Sequence, residues 1–379
     1  MVDKEIIVIG DIEIGAGNLT DDFISDQAFS DFIHTLTKRD HPVDVILNGD
    51  TFDFLKCPYK AGDSYIYPRH ITVDISLNKL GLMHHAHKKF FESLKKFVRK
   101  RNNNLYFTLG NHDQDLLFHE VREDIRKLLG GSKRIHFPGL KYQQHGVYVE
   151  HGHQYDFLSK INFQKLFLNY KGKPILNFPW TAFSLVSTFM DIKEQHPFME
   201  RITPRPLLLS FNSMVLRKIS FRSLGYFLKT VLYYPFRYYS DPTYNLPTKL
   251  FGFFYYRVKN RQWDEDDIIN VFRRKKKKVK HQVYVLGHVH KVQMLEQRKR
   301  VIIHPGSWRD EYELNAETRM LMPKDKFYVQ VLIHDDSHLE YNLNSWPIKR
   351  SIFLFDDVRK HELAYIYLAA QEEKYEPQW

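Results

Sequence analysis

The chain has 379 residues, 43% of them hydrophobic and 27% charged, with a formal net charge of +11. That balance excludes an intrinsically disordered chain and leaves room for one large core with an insertion, or for two domains. A single cysteine, Cys57, excludes an internal disulfide and fits a reducing compartment, and the positive excess suits a polyanionic partner such as nucleic acid, anionic lipid or a phosphorylated substrate.

The opening MVDKEIIVIGDIE carries a short apolar run with an Asp inside it, which reads as a first β-strand rather than a signal peptide. EIIVIG (5–10), VDVILNG (43–49) and LYFTLG (105–110) are apolar runs that each stop at Gly, as buried strands do. Between them, Phe29, Phe32, Ile33 and Leu36, then Phe90, Phe91, Leu94 and Phe97, recur at helical spacing. Strand–helix–strand order predicts parallel pairing through crossover helices. After Pro138, KYQQHGVYVEHG predicts a hairpin.

From about 157 the character shifts to dense aromatics and basic residues. Residues 158–263 hold sixteen Lys or Arg against four acids, a net +12, and RRKKKKVK follows at 273–280. Strands then return (HQVYVLG, VIIHPGSW, FYVQVLIHDDSHLEYNL, SIFLF), with HDDS as a turn and a last amphipathic helix over VRKHELAYIYLAAQEE. The expected division is a core of 1–156 and 281–379 and a mostly helical, aromatic-rich basic cap at 157–280.

The loops ending these strands carry the chemistry. They offer Asp11, Glu13, Asp50, Asp53, Asn111, His112, Asp113, His151, His153, Asp156, His288 and His290. Carboxylate, imidazole and amide oxygen together suit first-row divalent metals. Asp11 and Glu13 are two apart, as are His288 and His290, so an extended strand end projects each pair to one face. The carboxyl ends of strands are where open α/β sheets bind ligands.

In order, GDIE (10–13), GDTFD (49–53), GNHD (110–113), HGH (151–153) and GHVH (287–290) resemble the motif set of the calcineurin-like metallophosphoesterases. The resemblance covers roughly 1–156 and 281–310. It implies an α/β fold, a four-layer αββα sandwich of two mixed sheets flanked by helices, with a helical cap insertion. It further implies two divalent metal ions that activate water and polarise the phosphoryl oxygens. Asp11, Asp50 and His290 would hold the first ion. Asp50 would bridge to the second, completed by Asn111, His151 and His288. His112 would be the catalytic residue facing the scissile phosphate, with Asp53 or Asp113 orienting it. His153 and Asp156 would lie behind the ligands or near substrate. Glu13 stands where the family usually has His. A carboxylate there adds a hard oxygen ligand and favours manganese, with iron, zinc or magnesium as alternatives.

In layout the chain is nearest to the UDP-2,3-diacylglucosamine hydrolase branch, which places a cap in the same interval and cleaves a lipid-linked pyrophosphate. The expected activity is therefore hydrolysis of a phosphodiester or pyrophosphate bond in a lipid-linked or nucleotide-sugar-lipid substrate. An anionic membrane surface is the expected partner, at the inner face of the membrane in the cytoplasm. A nuclease acting on single-stranded nucleic acid is the alternative enzyme, and a non-catalytic scaffold the alternative class. PILNFPWTAFSLVSTFM (174–190) contains two prolines and is too short to span a bilayer.

Overall fold

A computed structural model describes residues 2–61, 64–246, 249, 251–252, 267–275, 280–334 and 338–378. The tract 253–266, half of the basic run (276–279) and the 335–337 part of the HDDS turn lie outside the described residues.

The three apolar runs that end in glycine form the strands Val2–Ile9, Val43–Asn48 and Asn104–Thr108, which pair in parallel. Ile135–Gly139 adds a fourth parallel strand. On the other edge, Lys326–His334 runs antiparallel to Val2–Ile9 and pairs in turn with Leu339–Trp346, giving a mixed six-stranded sheet. A second mixed sheet of five strands runs in the order Val292–Gln297, Arg300–Pro305, Val283–Leu286, Val147–Glu150 and Lys141–Gln144. Its last two strands are the expected hairpin. His145 and Gly146 both take positive φ at its turn, which matches the twist of the strands.

Period-two alternation decides what each face meets. Ile6, Val8, Ile46 and Tyr106 pack against Val149, Val283, Val285 and Ile303 of the second sheet. Ile7, Ile9, Val45, Leu47 and Phe107 face the other way, onto Phe29, Phe32 and Ile33 of the helix Asp26–Thr37 and Phe90, Phe91, Leu94 and Phe97 of the helix Lys88–Arg99. The outer face of the second sheet is covered by the helix Asp267–Lys275, whose Phe272 packs on Tyr148, Tyr284, Leu286 and Ile302. The fold is thus α/β, two stacked mixed sheets with helices on both outer faces.

The intervening segment begins with a hairpin, Phe167–Tyr170 with Lys173–Leu176, and continues mainly as helices, including Ser187–Gln195, Arg205–Phe211 and Ser213–Leu232. It is also stitched to the C-terminal part. Ile202–Thr203 pairs in parallel with Tyr312–Leu314 in a small third sheet. Phe198, Ile202 and Leu208 share a core with Tyr312, Leu321, Phe353, Phe355 and Ile366. The last amphipathic stretch forms two helices, Phe355–Lys360 and Glu362–Glu372, because His361 leaves helical geometry with φ −135° and ψ 44°.

Candidate metal centre

The site loops are extensions of the parallel strands that continue to bond after the ladder ends. Backbone N–H groups of Ile12 and Glu13 donate to Asp50 O, that of Asp53 to Ile14 O, that of Trp308 to Asp11 O and that of Gly287 to His151 O. Two glycines permit this density. At Gly110 a Cβ would fall 2.0 Å from Asp50 Oδ1, and at Gly49 (φ +70°) one would fall 2.6 Å from His151 Cβ. Glu13, Asp50, His288 and His290 all adopt positive φ although none is glycine. Such strained backbone persists only where surrounding bonds over-determine it, and it concentrates at functional sites.

One cluster joins Asp50, His151 and His288, with ligand atoms within 4.8 Å of one another. His151 Nδ1 lies 2.9 Å from the Asn48 carbonyl, which fixes the ring and turns Nε2 toward Asp50 Oδ2 at 3.0 Å. Asn111 Oδ1 is buried without a hydrogen-bond partner. An imidazole nitrogen whose near neighbour is the Asp50 carboxylate, together with a buried amide oxygen that has no partner, is a donor set that fits a divalent cation. His288 Nε2 is 3.2 Å from Asp156 Oδ2, and Asp156 is itself held by Leu158 N and Ser159 Oγ.

The second cluster is Glu13, Asp53 and His112. His112 Nδ1 sits 2.8 Å from Asp53 Oδ1, so Asp53 rather than Asp113 orients this imidazole. Asp113 instead accepts from the backbone of Gly110 (2.6 Å) and Thr51 (3.0 Å), bracing the loop from behind. Its pKa is pushed up to about 8 by burial and by the Asp50 charge. Burial would lower the His112 pKa, but Glu13, Asp53 and Asp50 raise it to about 9. His290 bridges the groups, with Nε2 3.4 Å from Asp11 Oδ1 and 3.3 Å from Glu13 Oε1 and Nδ1 2.9 Å from Glu311 Oε1. Asp11 also accepts from the backbone N–H of His288. His153 stands apart, buried beside the His151 ring, with Nε2 3.0 Å from Gln154 Nε2.

Three charged groups at the site were missed by the motif reading: Lys56, Arg309 and Glu311. Lys56 Nζ lies 3.1 Å from Glu13 Oε2, and Arg309 Nη1 lies 3.2 Å from both Glu13 oxygens. Burial alone would raise the Glu13 pKa, yet Arg309 and Lys56 hold it well below the carboxylate range. The negative charge added by Glu in place of His is therefore matched by two cations. The network reaches the intervening segment. Lys56 contacts Glu200 at 2.8 Å, Lys193 contacts Glu200 at 2.8 Å and Asp22 at 2.5 Å, and Arg309 contacts Asp22 at 2.7 Å. The available signal was adjacency: Lys56 follows Asp53 by three positions, and Arg309 and Glu311 directly follow HPGSW.

No family model matches the chain, and no curated protein matches it. Among solved structures, a conserved uncharacterised protein from Streptococcus pneumoniae, described as a predicted phosphoesterase, aligns at 11% identity over 91% of each chain with a TM-score of 0.28. A candidate 5'-nucleotidase from Staphylococcus aureus, solved with alpha-ketoglutarate, aligns at 13% identity over 98% of this chain and 58% of that one, with a TM-score of 0.33. A double mutant of Vps29 from Entamoeba histolytica aligns at 10% identity over 90% of this chain and 98% of that one, with a TM-score of 0.28. Likeness this loose carries no argument about function, which has to come from the side chains.

Proposed function

We propose that the chain is a divalent-metal phosphohydrolase acting on a phosphodiester or pyrophosphate bond. The observation that carries this reading is the convergence of ligand atoms from Asp50, His151 and His288 within 4.8 Å of one another, with a second such group formed by Glu13, Asp53 and a His112 imidazole clamped by Asp53. Asp50, Asn111, His151 and His288 would hold one ion; Asp11, Glu13, Asp50 and His290 would hold the other, with manganese favoured by the oxygen-rich set. When bound, the ions supply a water nucleophile at neutral pH and Lewis-acid polarisation of the phosphoryl group.

The remaining work falls to the chain. Asp53 keeps Nδ1 of His112 engaged, so Nε2 of the same ring is the end free to serve the phosphoryl group. With Nδ1 held by Asp53, this ring is oriented to donate to the phosphoryl oxygen and to pass a proton to the leaving oxygen. Glu311 and Asp156 fix the rings of His290 and His288. The aromatic and basic segment after 157 supports an amphiphilic phosphate ester as the substrate class. Among the described residues no helix is long and apolar enough to cross a membrane.

The test is elemental analysis of the reconstituted protein together with turnover of bis(p-nitrophenyl) phosphate. Two equivalents of metal and manganese-stimulated turnover are expected. His112→Asn should cut turnover by roughly two to four orders of magnitude with metal content unchanged. Protein that binds no stoichiometric metal refutes the assignment.

A further inference from the structure

The helix Ser213–Leu232 departs from the rule the other long helices follow. Lys88–Arg99 buries six of its twelve residues, among them Phe90, Phe91, Leu94 and Phe97. Among the described residues of Ser213–Leu232, twenty in all, only Val215 and Thr230 are buried. What it shows to solvent is apolar: Met214 is 57% exposed, Phe221 70%, Leu224 57%, Leu228 49% and Leu232 67%. At a rotation of about 100° per residue these five side chains fall within an arc of about 80°, and Leu216 (41% exposed) and Phe227 (37%) widen the exposed apolar face to about 160°. Just beyond the helix end, Phe236 and Tyr239 are 78% and 92% exposed. Tyr234, which composition alone would group with them, is buried at 1% and packs inward.

The charge of this stretch has one sign. From Arg201 through Ser240 there are seven Lys or Arg and no Asp or Glu. Arg217 lies inside the apolar arc, where a long aliphatic stem covers apolar surface while its guanidinium reaches outward. Lys218, Arg222 and Lys229 lie along one border of the arc. Arg222 turns back to Asp191 at 2.9 Å and Lys218 to Gln195 at 3.0 Å, which sets the tilt of the helix on its own segment.

We propose that this face docks on an anionic lipid bilayer. A broad exposed face of Phe, Leu and Met, bordered on one side by Lys218, Arg222 and Lys229 and with no acid on the helix itself, matches the chemistry of an interfacial helix lying in the headgroup plane. A second copy of the chain fits less well, because a two-fold contact would oppose Arg217, Lys218 and Lys229 to their own copies. Single-stranded nucleic acid fits less well too, because its bases stack on aromatic faces, and three of the five stripe residues are Leu. The helix is tied to the site by short links. Asn212 accepts from Val215 N at its start, Arg201 bonds to Asp310, and Glu200 meets Lys56 beside Glu13. Docking would therefore present the metal-centre side of the chain at a set position relative to the lipid surface. As the source of an amphiphilic phosphate ester the surface rests on the preceding reading; as a docking face it does not.

Sedimentation of the full chain with phosphatidylcholine vesicles, with and without phosphatidylglycerol, at low and high salt, tests this. The wild type should bind the anionic vesicles at least about tenfold more tightly than the neutral ones, and more weakly at high salt. The double variant Leu224→Glu, Leu228→Glu should lose at least about tenfold of that binding while its circular dichroism and its turnover of soluble diester match the wild type. Equal binding by wild type and variant overturns the proposal. So does a single-stranded oligonucleotide bound in place of vesicles, or a dimer in solution that the double variant dissolves. Vesicle binding without diester turnover keeps the surface and removes the hydrolase; turnover without vesicle binding does the reverse.

Discussion

Replacing His87 by Gln should reveal how much of the fold depends on one buried cation. The His87 ring is fully buried, with Nδ1 2.7 Å from Asp26 Oδ2 and Nε2 2.9 Å from Asp21 Oδ2. Both nitrogens face carboxylates, so both carry protons. Burial by itself would lower the pKa, but Asp26 and Asp21 raise it to about 10. At about 1.4 kcal/mol per pKa unit, a rise from the ordinary value near 6.5 amounts to a ceiling of about 5 kcal/mol. The raised folded-state pKa means the contribution is complete below about pH 6.5 and is lost as pH climbs toward 10. Urea unfolding of wild type and His87→Gln at pH 7, 8 and 9 is the assay. The variant should be about 3–5 kcal/mol less stable at pH 7, since two carboxylates are left facing each other, and the gap should narrow by about 1 kcal/mol per pH unit. A gap that stays constant from pH 7 to 9 would show that His87 is neutral in the folded state and refute the reasoning. Asp22, next to Asp21, holds Arg309 against Glu13, so weaker metal retention by the variant is expected as well.

Gly110→Ala should abolish both metal retention and turnover, measured by elemental analysis and diester hydrolysis, because its Cβ has no room beside Asp50. Glu13→Gln should reduce bound metal from two equivalents to one, and also lower stability by about 1–3 kcal/mol in chemical denaturation, since Arg309 and Lys56 lose their shared partner. Arg201→Met should cost about 1–3 kcal/mol, a loss read by calorimetry, because Asp310 keeps Arg350 and Asp22 keeps Lys193 and Arg309 when the buried guanidinium is removed.

Local patterns carried most of the architecture and little of the electrostatics. The parallel strands announced themselves as apolar runs ending in Gly, and the helices Asp26–Thr37 and Lys88–Arg99 through Phe at helical spacing, since burial on one face writes a period into the chain. The residues of the candidate metal centre stood out because they interrupt those runs with side chains a strand end does not otherwise need. Lys56 and Arg309 both meet Glu200 across more than a hundred positions of sequence, and a lone charge in a basic chain has no periodicity to mark it. The same holds for the pairing of Ile202–Thr203 with Tyr312–Leu314, two residues long on one side and too short to register as a strand pattern. Tyr234 and Phe236 are neighbours of like composition with opposite burial, a difference set by what packs on the helix Tyr234–Arg237 and not by residue type.

The third sheet also has a bearing on how the chain comes off a ribosome. Phe198, Ile202 and Leu208 are committed to partners that begin about 110 residues further on, at Tyr312, and extend to Ile366. At ordinary elongation rates that interval is on the order of 10 s, during which the apolar side of 198–208 and the long helix after it are both exposed. The early strands and their covering helices can close meanwhile, because Val2–Ile9, Val43–Asn48 and Asn104–Thr108 need nothing from beyond residue 140 to pair. Only when the last fifth of the chain emerges can the waiting segment settle and bring Glu200 onto Lys56. A nascent chain stalled before that point would carry most of the candidate metal ligands and expose its most adhesive surface.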